Sequence, residues 1–215
     1  VADGMGGHRG GETASAISVE VIPEVVRKSQ KKPGWTGRGT ITEAIEAANR
    51  AIYKRSTEQP SLQGMGTTTT ALLFKDGVLT IGHVGDSRCY YFNPGSVWQA
   101  TRDHSLVQEK LRAGLITRAE VKHDRMKNVI TRSVGFEEEV QVEVYEMQVK
   151  PHDVFLICSD GLSGMVEDPD MLKLVQKHFF DEKSLDAAVE KLIDGANQNG
   201  GDDNVTTLMV EVLPD

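Results

Sequence analysis

Ahead of Gly66 apolar side chains recur twice at helical spacing. They then switch to strand-like alternation broken by turn dipeptides, and this order constrains the fold more than any other feature. Residues 12–29 carry Ile17, Val21 and Val25 on one side, with Pro23 expected to bend or end the helix. A second helix is expected to open at Thr40, where Thr40 and Glu43 have capping-box spacing and Ile41, Ile45, Ala48 and Ile52 make one apolar face. Residues 31–39, rich in Lys and Gly, read as an exposed loop between the two. After Gly66 the pattern becomes 67–74 and 78–84 around Asp76-Gly77, a strong hairpin signal, followed by 89–92 and 97–100 around Asn93-Pro94-Gly95. Ser105 with Gln108 and Thr117 with Glu120 mark two short capped helices, the first closed by Gly114. Strands are expected at 140–148 and 154–158, and a helix at 168–178 with Asp168 at the cap and Pro169 at its first position. A further helix at 184–197 shows Leu185, Val189, Leu192 and Ala196 on one face, and a last strand at 205–212 alternates Leu208, Val210 and Val212.

Helices in consecutive pairs, separated by strands joined through short turns, favour antiparallel sheets with helices packed on their faces, an α+β layered arrangement. A doubly wound sheet would alternate strand and helix singly. At 215 residues, with 39% hydrophobic and 26% charged, the chain can bury a full core. No apolar run approaches the eighteen residues of a membrane span, and Val1-Ala2-Asp3-Gly4 has neither the basic nor the apolar character of a signal peptide. Cys89 and Cys158 stand alone in strand-like runs, which fits a reducing cytoplasm better than a disulfide framework. A net charge of −8 argues against nonspecific nucleic-acid binding.

Four aspartates stand beside glycine or at the ends of apolar runs: Asp3, Asp86, Asp160 and Asp203. Turn chemistry alone accounts for many Asp-Gly and Asp-Asn pairs, and Asp76-Gly77 needs no other reading. Asp160, however, closes the run 154–158, and Asp86 follows the run 80–84, where an uncompensated carboxylate would be costly to desolvate. Carboxylates gathered at neighbouring strand ends repel unless cations sit between them, and all-oxygen ligation suits Mg²⁺ or Mn²⁺. Zinc fits poorly, since no Cys or His pair has ligand spacing. The glycine-dense stretch 4–11 runs straight into a helix, which could bring backbone close to an anion, but it matches no dinucleotide or Walker fingerprint. Ser87 lacks the second glycine of a nucleophile elbow.

The segments ADGMGGH (2–8), GTTTT (66–70), HVGDSR (83–88), DHSLV (103–107), NVITRSVG (128–135), CSDGL (158–162) and GDDNVT (201–206) occur in the order and rough spacing of the bacterial type 2C protein phosphatases, and the chain resembles that family over nearly its whole length. The resemblance implies a four-layer α/β/β/α sandwich of two antiparallel sheets, as one phosphatase domain over 1–215. It implies hydrolysis of phosphoserine and phosphothreonine on proteins, using Mn²⁺ or Mg²⁺ to activate a bridging water. By position Asp3 is similar to the carboxylate bridging two metals, and the Gly4 carbonyl to a ligand of the second. Asp160 and Asp203 are similar to ligands of the first metal, and Asp86 with Asp160 to the pair holding a third, weaker ion. His8 matches the histidine that protonates the leaving group, and residues 113–127 the variable flap beside the cleft. The expected partners are phosphorylated substrates of a Ser/Thr kinase, acted on by a cytoplasmic monomer without nucleic acid or membrane. His83, His104, His123, His152 and His178 read as structural or surface residues, Arg88 and Arg132 as packing or ion pairing, and Thr67–Thr70 as plain strand.

The family's usual N-terminal segment, with a phosphate-binding arginine and an Asn-(Glu/Asp)-Asp motif, finds no counterpart before Asp3. The resulting expectation is weakened metal binding and low activity for residues 1–215 alone. Two other classes compete: a phosphatase-fold protein that binds phosphorylated partners without turning them over, and a metal-dependent nuclease. The acidic balance and the lack of a basic aromatic strip oppose the nuclease.

Overall fold

The structure, a computed structural model, describes residues 1–5 and 8–214, with the backbone alone at His8 and Arg9. The elements in chain order are β1 (Gly4–Met5), α1 (His8–Ser29), α2 (Gly37–Glu58), β2 (Gly66–Thr67), β3 (Thr69–Lys75), β4 (Val78–Val84), β5 (Arg88–Asn93) and β6 (Ser96–Gln99). They continue with α3 (Leu106–Arg112), β7 (Glu143–Gln148), β8 (Val154–Cys158), α4 (Asp160–Ser163), α5 (Asp168–Val175), α6 (Leu185–Gln198) and β9 (Thr207–Glu211). One antiparallel sheet has the order β3-β4-β7 and a second the order β6-β5-β8-β9, while β1 and β2 form a short pair of their own.

Three apolar layers hold these elements together. Ile41, Ala44, Ile45, Ala48 and Ile52 of α2 pack with Ala14 and Ile22 of α1 onto Leu73 and Val84 of the first sheet. Leu79 and Ile81 of that sheet face Cys89, Phe155 and Ile157 of the second. The other face of the second sheet, through Tyr90, Phe92, Val154, Leu156 and Cys158, meets Met171 and Val175 of α5 and Ala188, Leu192 and Ala196 of α6. The result is the expected α/β/β/α sandwich. Each fully buried Ile or Leu contributes about 1.5–3 kcal/mol relative to exposure.

Several boundaries differ from the sequence reading for local reasons. α1 starts at His8 and passes through Pro23, because burial of Ala14 and Ile22 outweighs the one backbone bond that proline forfeits. α2 is capped by Thr36, whose Oγ1 accepts from Gly39 N at 3.2 Å; Thr40 is buried inside the helix. Glu43 pairs with Ser29 and Lys32 and closes no capping box. Thr117 and Glu120 do bond, at 2.7 Å, but only a turn and a 3-10 segment (Val121–His123) follow. Ser105 stands at the cap of α3 without a side-chain bond, and Glu167 takes the α5 cap expected of Asp168. α6 is capped as expected, Ser184 Oγ accepting from Ala187 N. The β3–β4 turn has Asp76 at φ 49° and Gly77 at φ 74°, the left-handed pair of a two-residue hairpin. On β9 the buried residue is Met209, and Leu208 at the sheet edge is 53% exposed.

Candidate active site

Register decides where the aspartates go. On the second sheet Arg88 pairs with Cys158, and Cys158 pairs with Thr207. Asp86 lies two residues before Arg88, Asp160 two after Cys158, and Asp203 four before Thr207, so all three emerge from the same end of that sheet. The first sheet delivers the same end through Val84, which pairs with Thr69 and leads into Asp86. Asp3 arrives by a separate route. The chain 1–5 runs antiparallel to 66–70: Thr70 N donates to Val1 O at 2.9 Å, Thr68 N to Asp3 O at 2.8 Å, and Gly4 pairs with Thr67. Residues as far apart as Asp3 and Asp203 thus meet at one end of the sandwich.

Gly4 and Gly11 serve packing between backbones. A Cβ at Gly4 would stand 2.0 Å from Gly11 O, and one at Gly11 would stand 2.6 Å from Gly4 O. Only glycine at both positions lets β1 cross the start of α1 this closely, which holds Asp3 beside the sheet end. Gly4 and Gly11 are therefore where the strand and the helix cross.

Asp3 is fastened by a row of hydroxyls that sequence reasoning took for ordinary strand. Asp3 N donates to Thr68 Oγ1 at 2.9 Å, and Thr67 Oγ1 donates to Asp3 O at 2.9 Å. Thr68 Oγ1 and Ser87 Oγ share a hydrogen bond of 2.7 Å, while Thr70 Oγ1 donates to Ser87 O at 3.0 Å. Thr70 Oγ1 also lies 3.0 Å from His83 Nδ1, and His83 Nε2 lies 2.9 Å from Arg102 O. The loop bearing Asp86 is thereby tied on one side to the strand bearing Asp3. On the other side it is tied to His104, whose Nδ1 accepts from Gly85 N at 3.0 Å. All four threonines, His83 and Ser87 are buried. The available signal in the sequence was the polarity of four consecutive threonines entering a sheet that is apolar on both faces.

Asp160 opens α4, and Ser159 fixes the loop carrying Asp203 beside it. Ser159 N donates to Thr206 O at 3.0 Å, Ser159 Oγ to Asn204 O at 3.1 Å, and Thr206 N to Ser159 Oγ at 3.1 Å. Asp203 itself is exposed, its Oδ1 accepting from Asn204 N at 2.7 Å. His8 begins α1, but its side chain lies outside the described residues.

The electrostatics of this end are those of crowded like charge. Burial, then the adjacent Asp160, pushes the Asp3 carboxyl up to about 7, with Asp203 and Asp86 adding to the effect. Burial, then Asp160 and Asp103, pushes Asp86 up to about 7 as well. Asp160 Oδ1 is one of two buried side-chain polar atoms that lack a hydrogen-bond partner among the described residues. A buried carboxylate oxygen facing two other carboxylates without a donor asks for a cation. The donor set is oxygen throughout and fits a hard divalent ion such as Mg²⁺ or Mn²⁺, not zinc. Among the described residues no three His, Cys, Asp or Glu side chains converge closely enough to hold a metal ion as they stand. Asp203 is exposed and engaged with the neighbouring backbone, and Mg²⁺ retains several waters beside one or two carboxylates.

The neighbouring charges are structural. Arg88 grips Asp103 with two arms, Nε–Oδ1 3.0 Å and Nη2–Oδ2 2.7 Å, and gives its third to Tyr90 OH at 2.9 Å. Arg132 Nη1 donates to Gln141 O at 3.1 Å and lies 3.3 Å from His104 Nε2. His152 pairs with Glu211 and His178 with Glu182. A cleft of about 450 Å³ lined by Asn93, Lys150, Phe180 and Glu211 lies at the opposite sheet end and contains none of the four aspartates.

Two antiparallel sheets between helix pairs, with a carboxylate cluster at one end, define a metal-dependent hydrolase of the phosphatase sandwich type. The family model for protein phosphatase 2C matches residues 1–209, and the chain belongs to that family. It is similar to the serine/threonine phosphatase stp of Listeria welshimeri, 34% identical over 98% of this chain and 82% of that protein. Among solved structures it is similar to the Mycobacterium tuberculosis serine/threonine phosphatase PstP/Ppp, with a TM-score of 0.89 and 33% identity over 99% of this chain and 87% of that one. The catalytic domain of serine/threonine protein phosphatase PstP in complex with two manganese ions gives a TM-score of 0.86, at 34% identity over 99% and 86% of the two chains.

Proposed function

We propose that Asp3, Asp86, Asp160, Asp203 and the Gly4 carbonyl form the metal-holding end of this protein serine/threonine phosphatase. The chain hydrolyses phosphoserine and phosphothreonine on proteins with Mn²⁺ or Mg²⁺. The observation that carries the site assignment is the unpartnered, buried Asp160 Oδ1 facing Asp3 and Asp86. Bound divalent ions supply charge neutralisation and a water acidic enough to attack phosphorus at neutral pH.

The chain's own residues do the rest. Thr67 and Thr68 hold the Asp3 backbone through its O and N, so its carboxylate is held at a fixed place just before β1. Ser87, bonded to Thr68 and Thr70, sets the Asp86 loop against it. Without cations these acids would repel a phosphate dianion, so the same cluster imposes the metal requirement. Hydrolysis forms one P–O bond from water and breaks the ester P–O bond. The departing serine or threonine oxygen takes a proton, and His8 is assigned that donor role. We further assign a monomer acting on substrates of a Ser/Thr kinase in the cytoplasm; no described helix is long and apolar enough to cross a membrane.

Phosphate release from a phosphothreonine peptide, with Mn²⁺ and with EDTA, tests the reading on the chain and on Asp160→Asn. Release that needs Mn²⁺ and disappears in the variant is expected. Release that persists in EDTA, or survives in Asp160→Asn, refutes the metal site. No release under any condition leaves the binding-protein alternative in its place.

A further inference from the structure

The charge of this chain is segregated. Residues 110–132 hold seven Lys or Arg against two Asp or Glu, a net of +5, in a chain of −8, which leaves −13 for all the rest. Some of these cations are engaged: Lys110 with Asp124 at 2.9 Å, Lys122 with Glu167, and Arg112 with Asp103 O at 3.3 Å. Arg118, Arg125 and Lys127 are exposed, and their side chains make no ion pair or hydrogen bond among the described residues. Leu115, Met126 and Val129, 74%, 46% and 40% exposed, stand among them.

Both roots of this segment are fixed to the carboxylate end. On the entry side His104 N donates to Gly85 O at 2.8 Å, next to Asp86. On the exit side Thr131 N donates to His104 O at 2.9 Å, and Val134 exchanges two backbone bonds with Thr67, whose Oγ1 holds Asp3 O. Its outer part is tied by Lys122 to Glu167, the residue capping α5 just beyond Asp160 and α4.

We infer that residues 110–132 are a docking surface for acidic segments flanking the phosphoresidue of a protein substrate, read by Arg118, Arg125 and Lys127. This rests on the phosphatase reading above and names the substrate class for that same site. A chain that carries −13 outside this segment repels an acidic substrate, and a +5 segment rooted at the catalytic end offers one favourable approach. The exposed apolar side chains add contact area without sequence demand.

Two phosphothreonine peptides of equal length, one flanked by Glu and Asp and one by Lys and Arg, are compared with p-nitrophenyl phosphate in Mn²⁺. The proteins are the chain, R118Q/R125Q/K127Q, and the charge-preserving R118K/R125K/K127R. Three exposed charge contacts of about half a kcal/mol each multiply to about tenfold in kcat/KM. The glutamine variant is expected to lose about tenfold on the acidic peptide through KM, with kcat and p-nitrophenyl phosphate turnover retained. The charge-preserving variant keeps the preference, and high salt erases it. Equal turnover of both peptides by the unmodified chain overturns the inference, as does a glutamine variant that loses all three substrates alike. Absence of any Mn²⁺-dependent turnover counts against the phosphatase reading instead. Anisotropy of the same peptides bearing a non-hydrolysable phosphonate then decides the docking: selective binding of the acidic peptide, lost in the glutamine variant, supports it, and indifferent binding refutes it.

Discussion

Acidification should weaken the hydroxyl row beneath the site through one histidine, and the size of the effect follows from its surroundings. His83 is fully buried, with Nδ1 at 3.0 Å from Thr70 Oγ1 and Nε2 at 2.9 Å from Arg102 O. Burial, then the neighbouring His104, whose ring centroid is 4.9 Å away, lowers its pKa from 6.5 to about 4. From the other elements, Asp103 and Glu143 face it and pull the other way. The unfolded chain therefore binds a proton between pH 6.5 and about 4 that the folded chain refuses, so His83 favours folding above this window and the advantage is lost as pH falls through it. At pH 5 the unfolded form is about 1.5 pH units into its titration, which corresponds to about 2 kcal/mol relative to pH 7.5. For a domain of this size that is about 4–8 °C in Tm. Asp3 and Asp86, with raised pKa values, act in the opposite direction in metal-free protein, so the histidine must be isolated by difference. Urea unfolding of the chain and of His83→Gln, in EDTA at pH 7.5 and 5, cancels the carboxylates to first order. The stability difference between the two proteins should shift by about 2 kcal/mol in favour of His83→Gln at pH 5. Parallel pH profiles for the two proteins would refute a neutral, buried His83.

Arg88→Met leaves Asp103, whose side chain is 6% exposed, charged and without its bidentate partner, and should cost about 3–5 kcal/mol in urea unfolding; Arg88→Met with Asp103→Leu should recover most of it. A loss below about 1 kcal/mol for Arg88→Met would contradict the pairing. Gly4→Ala drives a Cβ onto Gly11 O and should cost about 2–3 kcal/mol while weakening Mn²⁺ binding measured by calorimetry. Gly64→Ala, with φ 76° and nothing within 4 Å, should cost about 1 kcal/mol and leave Mn²⁺ binding intact. Asp160→Asn relieves the repulsion on Asp3 and should raise stability in EDTA by about 1 kcal/mol, while the Mn²⁺-induced rise in Tm of the unmodified chain disappears. A variant less stable than the unmodified chain in EDTA would contradict the crowding of carboxylates.

The layered fold was legible because its signals are local. Helical periodicity marked Ile41, Ile45, Ala48 and Ile52 as one buried face, and Asp76-Gly77 marked a hairpin whose two left-handed residues the structure contains. Element ends were less legible. Thr36 and Thr40 are equally good caps by type, and the choice fell to whichever was left outside once α2 had packed on the sheet. Thr117 and Glu120 formed their predicted bond but had too few apolar residues behind them to propagate a helix.

By itself the sequence singled out Asp86 and Asp160 at the ends of apolar runs, where a carboxylate is costly to bury, while Asp3 and Asp203 stood out only beside turn residues and through the family resemblance. It also determined that any bound metal must be a hard one, because no thiolate or imidazole set accompanies those oxygens. Tertiary structure alone decided that Asp3, Asp86, Asp160 and Asp203 share one end of the sandwich, since that depends on strand register between residues far apart in the chain. It also decided the role of the threonines. A hydroxyl has no periodicity to betray it, and whether Thr68 is a strand residue or the support of Asp3 depends on which backbone passes within 2.9 Å of it. Long-range backbone pairing sets that distance, and no pattern within a single segment encodes it.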